Sequence, residues 1–155
     1  MKNIIFLIAL GIIIYVAVKF YFSSLTKPQI QSPRISINNH SFILEVADTD
    51  AKRAQGLSDR LTLDQSHGML FVFPTKDRYA FWMKDMHFPL DFIWIEDDLI
   101  VDITENVPTP VTATYLPRYQ PKSQVNKVLE INMGVVKKNG IIIGQKVSFS
   151  GFYIH

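Results

Sequence analysis

Residues 68–98 read GMLFVFPTKDRYAFWMKDMHFPLDFIWIEDD, the densest apolar and aromatic run outside the N-terminus. In Phe92-Ile93-Trp94-Ile95 both alternating sets of side chains are apolar, which marks a β-strand buried on both faces. Met69–Phe73 forms a second, shorter apolar run stopped by Pro74. Tyr79–Met83 and Phe92–Glu96 are expected strands, Pro89 beginning the latter. The same stretch gathers distinctive chemistry, because Trp82, Met83, Lys84, Asp85, Met86, His87 and Asp91 fall within ten positions.

Working outward, Ile35–Ile37 and Phe42–Val46 flank Asn38-Asn39, and asparagine tolerates the positive φ of a tight hairpin turn. Asp48 or Thr49 can cap a short helix through Gln55, with Gly56 in the left-handed position after it and Leu57 supplying the apolar contact. Ala51 and Ala54 are expected to face the core of that helix. Asp97-Asp98 turns the chain into Leu99–Ile103, with Leu99, Val101 and Ile103 on one face. Val128–Ile131 is a strand, Asn132–Asn139 a short helix ending at Gly140, and Ile141–Phe149 one or two strands. The segment from Thr104 to Asn126 holds four prolines and reads as a long loop. These elements predict a mainly β (α+β) domain: a compact, barrel-like, strongly curved sheet with one or two short helices.

Of 155 residues, 48% are hydrophobic and 19% charged, and the formal net charge is +2. Ile4–Phe22 is apolar apart from Lys19 and, as a helix, spans roughly 28 Å, close to the hydrocarbon thickness of a bilayer. The absence of a small-residue cleavage site after it favours an uncleaved transmembrane helix over residues 1–22, the alternative being a cleaved signal peptide with Lys2 as its charged n-region. A proline-bearing linker over 23–33 and the domain over 34–155 are expected to follow. Lys2, Lys19 and Lys27 are the basic residues before Arg34 and no acid accompanies them, which leaves 13 basic against 14 acidic residues in the domain. That domain has no basic excess to hold a phosphate backbone, so nucleic acid is not an expected partner. A single-pass membrane protein is expected, contacting the bilayer through residues 4–22 with its domain outside the cytoplasm. The absence of cysteine removes a disulfide framework and a cysteine nucleophile.

Arg53-x-x-Gly56-Leu57-x-x-Arg60, Gly68-Met69-Leu70-Phe71-x-Phe73, Phe81-Trp82-Met83-Lys84, Pro89-Leu90-Asp91 and Leu129-Glu130 occur in the order typical of one family. In these motifs the chain resembles the domain of unknown function 192 (DUF-192, also UPF-0127) from about Ile35 to Phe149. The resemblance implies a compact, β-rich domain, commonly exported or membrane-anchored in bacteria. It implies no activity and no catalytic residues. Where the family usually continues Trp-Met-Lys with Asn-Thr, this chain has Asp85-Met86.

Arg53, Arg60, Lys84, Asp85, Asp91 and Glu130 are the candidate ligand-binding residues, since strand ends and short connections present polar groups from a rigid scaffold. Guanidinium forks beside carboxylates suit a small polar or envelope-associated ligand, bound without catalysis. Three alternatives use overlapping residues or the long loop. Asp85 or Asp91 can serve a hydrolase as general base, paired carboxylates being compatible with glycoside hydrolysis. Met83, Met86 and His87 can hold Cu(I) through thioether and imidazole. The proline-bearing loop can instead serve a protein partner whose identity the sequence leaves unknown. No Gly-x-Ser-x-Gly, His-Glu-x-x-His or Walker-type loop occurs, and no cofactor is implied.

Overall fold

The computed structural model of the chain describes residues 2–24, 32–111 and 116–151; the side chains of residues 2–7, 9 and 22–24 lie outside that description. The chain divides into two compact units, 1–31 and 32–155. The first contains helix α1, Lys2–Ser24. Its exposed residues include Ile12, Ile13, Ile14 and Val16. Among the described residues no helix is long and apolar enough to cross a membrane. Within the expected anchor, residues 4–22, the side chains of 4–7, 9 and 22 lie outside that description, and residues 25–31 of the expected linker lie outside the described residues.

The second unit is built on a seven-stranded sheet. Its strands are β1 (Arg34–Ile37), β2 (His40–Ala47), β3 (His67–Asp77), β4 (Leu90–Glu96), β5 (Leu99–Val107), β6 (Val125–Asn132) and β7 (Val147–Ser150), in the spatial order β5-β4-β6-β3-β2-β1-β7. All pairings are antiparallel except β2 with β3. Helix α2 (Asp50–Gln55) belongs to the β2–β3 connection, and helix α3 (Val135–Lys138) follows β6. The sheet curls until its two edges meet at an antiparallel bridge between Leu99 and Lys146, supported by hydrogen bonds from Ile100 to Gln145 and from Gly144 to Ile100. The expected barrel-like, mainly β domain is this curled sheet.

Alternation along the strands divides the core in two. Ile93 and Ile95 of β4, Leu129 and Ile131 of β6 and Leu70 of β3 fill the inside of the curl with Ile35, Ile37 and Val136. Phe92, Trp94, Val128, Met69 and Phe71 point to the outer face, where Leu57, Phe81, Met83 and Met86 cover them. The strand buried on both faces is therefore β4, six of whose seven residues are buried. Fully burying one such side chain stabilises the fold by roughly 1.5–3 kcal/mol.

Several local expectations are met. Asn38 has φ 54° in the β1–β2 turn, Thr49 caps α2, and Gly56 follows it at φ 51°. A Cβ on Gly56 would also come within 3.3 Å of the Phe71 ring, so glycine serves both turn and packing. Others are corrected. β3 continues through Pro74 to Asp77, because its register with β6 shifts between Val72 and Asp77 and no regular ladder partner is demanded of the proline. Tyr79–Met83 is not a strand; it touches extended backbone only at the bridge between Phe81 and Tyr119. Leu99, Val101 and Ile103 do not share a face, since a bulge between Trp94 and Ile95 sends Ile100 and Ile103 to the inner core and Val101 to the outer. Of the expected strand region 141–149, only residues 147–149 belong to a strand, β7, with Lys146 before it in the isolated bridge to Leu99. The loop after β5 narrows to residues 108–124, of which 112–115 lie outside the described residues.

Asp91 anchors the end of the curl. It is fully buried in β4, and its carboxylate accepts from the Asn106 amide at 2.9 Å and from the Val136 amide of α3 at 3.1 Å. Removing one partner from a buried hydrogen bond leaves the other unsatisfied, at about 1–3 kcal/mol per group. Asp91→Ala is expected to lose on the order of 3 kcal/mol or more, read as a lower urea midpoint at unchanged slope. An unchanged midpoint would remove this role.

Candidate functional site

The outer aromatic layer leaves a cleft of about 310 Å³ between α2, the turn that follows it, and the segment 79–86. Local chemistry sets both walls. On one side, Ser58 donates through Oγ to the Lys84 carbonyl at 2.9 Å and the Asp59 amide donates to the Asp85 carbonyl at 2.8 Å, tying the post-helix turn to the covering segment. Asp59 and Asp85 both adopt positive φ to make that contact, a conformation short polar side chains tolerate. On the other, Phe73 and Tyr79 stack at 3.6 Å, and the Arg53 guanidinium lies 5.3 Å from the Phe73 ring centre.

Phe81 is the pivot of the aromatic packing. It meets Phe71 edge-on at 4.8 Å and Trp94 edge-on at 5.5 Å, with Phe92 tilted beside it at 5.9 Å. Edge-to-face contacts of this kind add about 0.5–1.5 kcal/mol beyond burial alone. Trp82, next in sequence, is 47% exposed at the cleft, with the Arg118 guanidinium 5.5 Å from its ring centre.

Glu130 lines this cleft from the sheet below. It stands on the outer face of β6, in register with Met69 on β3 and Phe92 on β4, and is only 5% exposed. No hydrogen bond or ion pair to its carboxyl occurs among the described residues. Burial pushes the group up from its ordinary value of 4.5 to about 8. Burial is the cause, for among the described residues no cation is placed to pull it back.

The six residues expected at a site are dispersed. Arg53 and Glu130 line the cleft. Arg53 is already engaged, donating to the Val72 carbonyl at 2.7 Å and to Asp50 at 2.6 Å. Arg60 grips Glu45 with both terminal nitrogens, which lowers the Glu45 carboxyl below its usual range. Lys84 and Asp85 pair at 3.8 Å on the surface, and Asp91 is committed to backbone amides. The copper candidates also separate: Met83 and Met86 are buried cleft walls, whereas His87 is exposed and does not line it. Among the described residues no group of three or more histidine or acidic side chains is placed to hold a metal ion. Sequence reasoning missed Phe71, Phe73, Tyr79 and Phe81 as lining residues, since aromatic residues in an apolar run read as core.

The family model for DUF192, described as uncharacterized ACR, matches residues 33–149. The chain belongs to the DUF192 family. Two solved structures resemble the DUF192 domain, each with a TM-score of 0.67. One, from Sinorhizobium meliloti 1021 and provisionally described as a transcription regulator, is 32% identical and is matched over 77% of this chain and 93% of its own. The other, a protein of unknown function from Novosphingobium aromaticivorans DSM 12444, is 30% identical over 75% of this chain and 82% of its own. Among curated proteins there is no match.

A carboxyl whose affinity for protons rises on folding binds its proton more tightly in the native DUF192 domain. Stability at this site is therefore full below about pH 4.5, falls as the pH rises, and levels off above about 8. Glu130→Gln is expected to remove that loss, which accumulates at no more than about 1.4 kcal/mol per pH unit. Urea titrations at pH 5 and pH 8 measure it. Parallel pH dependence in wild type and variant would contradict it.

Proposed function

We propose that the DUF192 domain is a noncatalytic binding module whose cleft takes a small ligand with an apolar body and one polar group directed at Glu130. One observation carries this reading: a buried carboxyl without a partner at the floor of a cleft walled by aromatic and thioether side chains. Small-molecule sites combine a mostly apolar lining with a few well-placed polar groups, and a volume near 310 Å³ is at the lower end of their range. The small polar ligand expected from the charged residues thereby becomes an amphipathic one.

Hydrolysis is less well supported. A second acid or base would have to face the same space, but Asp91 has both oxygens committed and Asp85 lies on a surface turn outside the cleft. The transcription-regulator description of the Sinorhizobium relative is not extended to this chain, because 13 basic against 14 acidic residues supply no electrostatic grip on nucleic acid.

The location of this binding role is also part of the proposal: residues 4–22 act as a single-pass anchor and hold the domain outside the cytoplasm. The support is the length and apolar character of that run. Full-length protein is expected to stay with the membrane fraction after alkaline extraction, and protease added outside intact cells whose outer layers are permeabilised is expected to reach the domain. Release by alkali would overturn the anchor.

Cleft occupancy can be read from methionine methyl resonances, since Met83 and Met86 line the cleft while Met133 is exposed away from it. In a screen of small aromatic amphiphiles, ligands are expected to shift Met83 and Met86 and leave Met133 in place. Ala54→Trp, which puts a large ring at the mouth, is expected to weaken them about tenfold or more, some 1.4 kcal/mol. Ligands that perturb other surfaces, or bind Ala54→Trp equally well, would sink the proposal.

A further inference from the structure

The geometry points to an organic cation as the ligand of this cleft: a protonated amine on an aromatic or aliphatic body, its ammonium group meeting the Glu130 carboxylate. This inference rests on the binding reading above and specifies its ligand.

Three observations lead to it. Glu130 is nine-tenths or more buried and aimed into the cleft, with no donor or cation on it among the described residues. A carboxyl in that position costs desolvation energy in its charged form, and an incoming cation offsets that cost where an incoming anion increases it. The walls offer Phe71, Phe73, Tyr79, Phe81 and Trp82, whose rings suit the apolar body of an amine, while the guanidinium groups of Arg53 and Arg118 already lie against Phe73 and Trp82 and leave the ligand's charge to Glu130.

The neighbouring ionisable groups leave the role to Glu130. From α2, Arg53 is held by the Val72 carbonyl and Asp50. In the covering segment, Tyr79 gives its hydroxyl hydrogen to the Thr75 carbonyl at 2.7 Å, and Lys84 is paired with Asp85 outside the cleft. Next along the outer face, on the far side of Met69, Glu45 is neutralised by Arg60. At the start of β3, His67 sits 3.3 Å from Asp64. None of these places a free opposite charge against Glu130. Burial pushes the Glu130 carboxyl up to about 8, so an ammonium that pairs with it below that pH displaces its proton. Affinity must then rise with pH until the free carboxyl is itself ionised.

Benzylamine, benzyl alcohol and the full-length chain test this. The two probes are close in size and differ in charge between pH 6 and pH 8, where the amine stays protonated. Benzylamine is expected to shift the Met83 and Met86 methyl resonances, with an apparent affinity rising by up to about tenfold per pH unit toward pH 8. Benzyl alcohol is expected to bind at least about tenfold more weakly at pH 8. Glu130→Gln is expected to abolish both the preference and the pH dependence, with an unperturbed Met133 resonance confirming its fold. If benzyl alcohol binds as well as benzylamine, or affinity is flat with pH in wild type, the cation inference falls while the cleft remains a binding site. If neither probe moves Met83 or Met86, the cleft reading falls with it.

Discussion

Because β4 sends Ile93 and Ile95 into the curl and Phe92 and Trp94 out of it, the sheet cannot leave its convex side to water. A second layer has to cover that side. The chain supplies it chiefly from the α2 connection between β2 and β3 and the segment between β3 and β4, with Tyr119 of the loop after β5 packed on Phe92. Neither layer pairs regularly with the sheet, so both are held by side-chain packing, with Phe81 at the centre of the rings. Cover built from loops fits less tightly than cover built from a second sheet. The cleft above Glu130 is where the two loops fail to close.

This origin explains how much the sequence revealed. Hairpin, cap and double-sided strand are local matters, decided by Asn38, Thr49, Gly56 and the unbroken apolar run of 92–95. The outer layer is not local. Tyr79–Met83 carries residues that suit a strand, yet the neighbouring ladder positions on β3 and β4 are already taken by β2, β5 and β6. An extended covering segment and a strand then look the same in sequence. Likewise Ala51 and Ala54 suit the inner face of a helix, but α2 is a six-residue rim with no buried residue, and its longest inward reach belongs to Arg53.

The candidate site was half legible for the same reason. Residue type pointed to Arg53 and Glu130. Asp91 drew attention by its charge in an apolar strand, but its partners are backbone amides of Asn106 and Val136, far away in sequence, so its structural role was invisible there. The isolation of Glu130 depends equally on contacts between distant segments. It arises because Arg60 turns to Glu45 and Arg53 to Val72 and Asp50, leaving the buried acid alone among rings.

The pairing of β1 with β7, Arg34 opposite Ser150, has a consequence for biogenesis. The first strand of the domain needs the last as its neighbour, and the bridge between Leu99 and Lys146 likewise waits for the C-terminal segment. During synthesis the β1–β2 hairpin must persist with one raw edge until nearly the whole domain has emerged. Topologies dominated by such distant pairings fold slowly and expose sticky strands meanwhile. A truncation of only the last few strand residues of the domain would leave β1 without its neighbour and the sheet half-assembled.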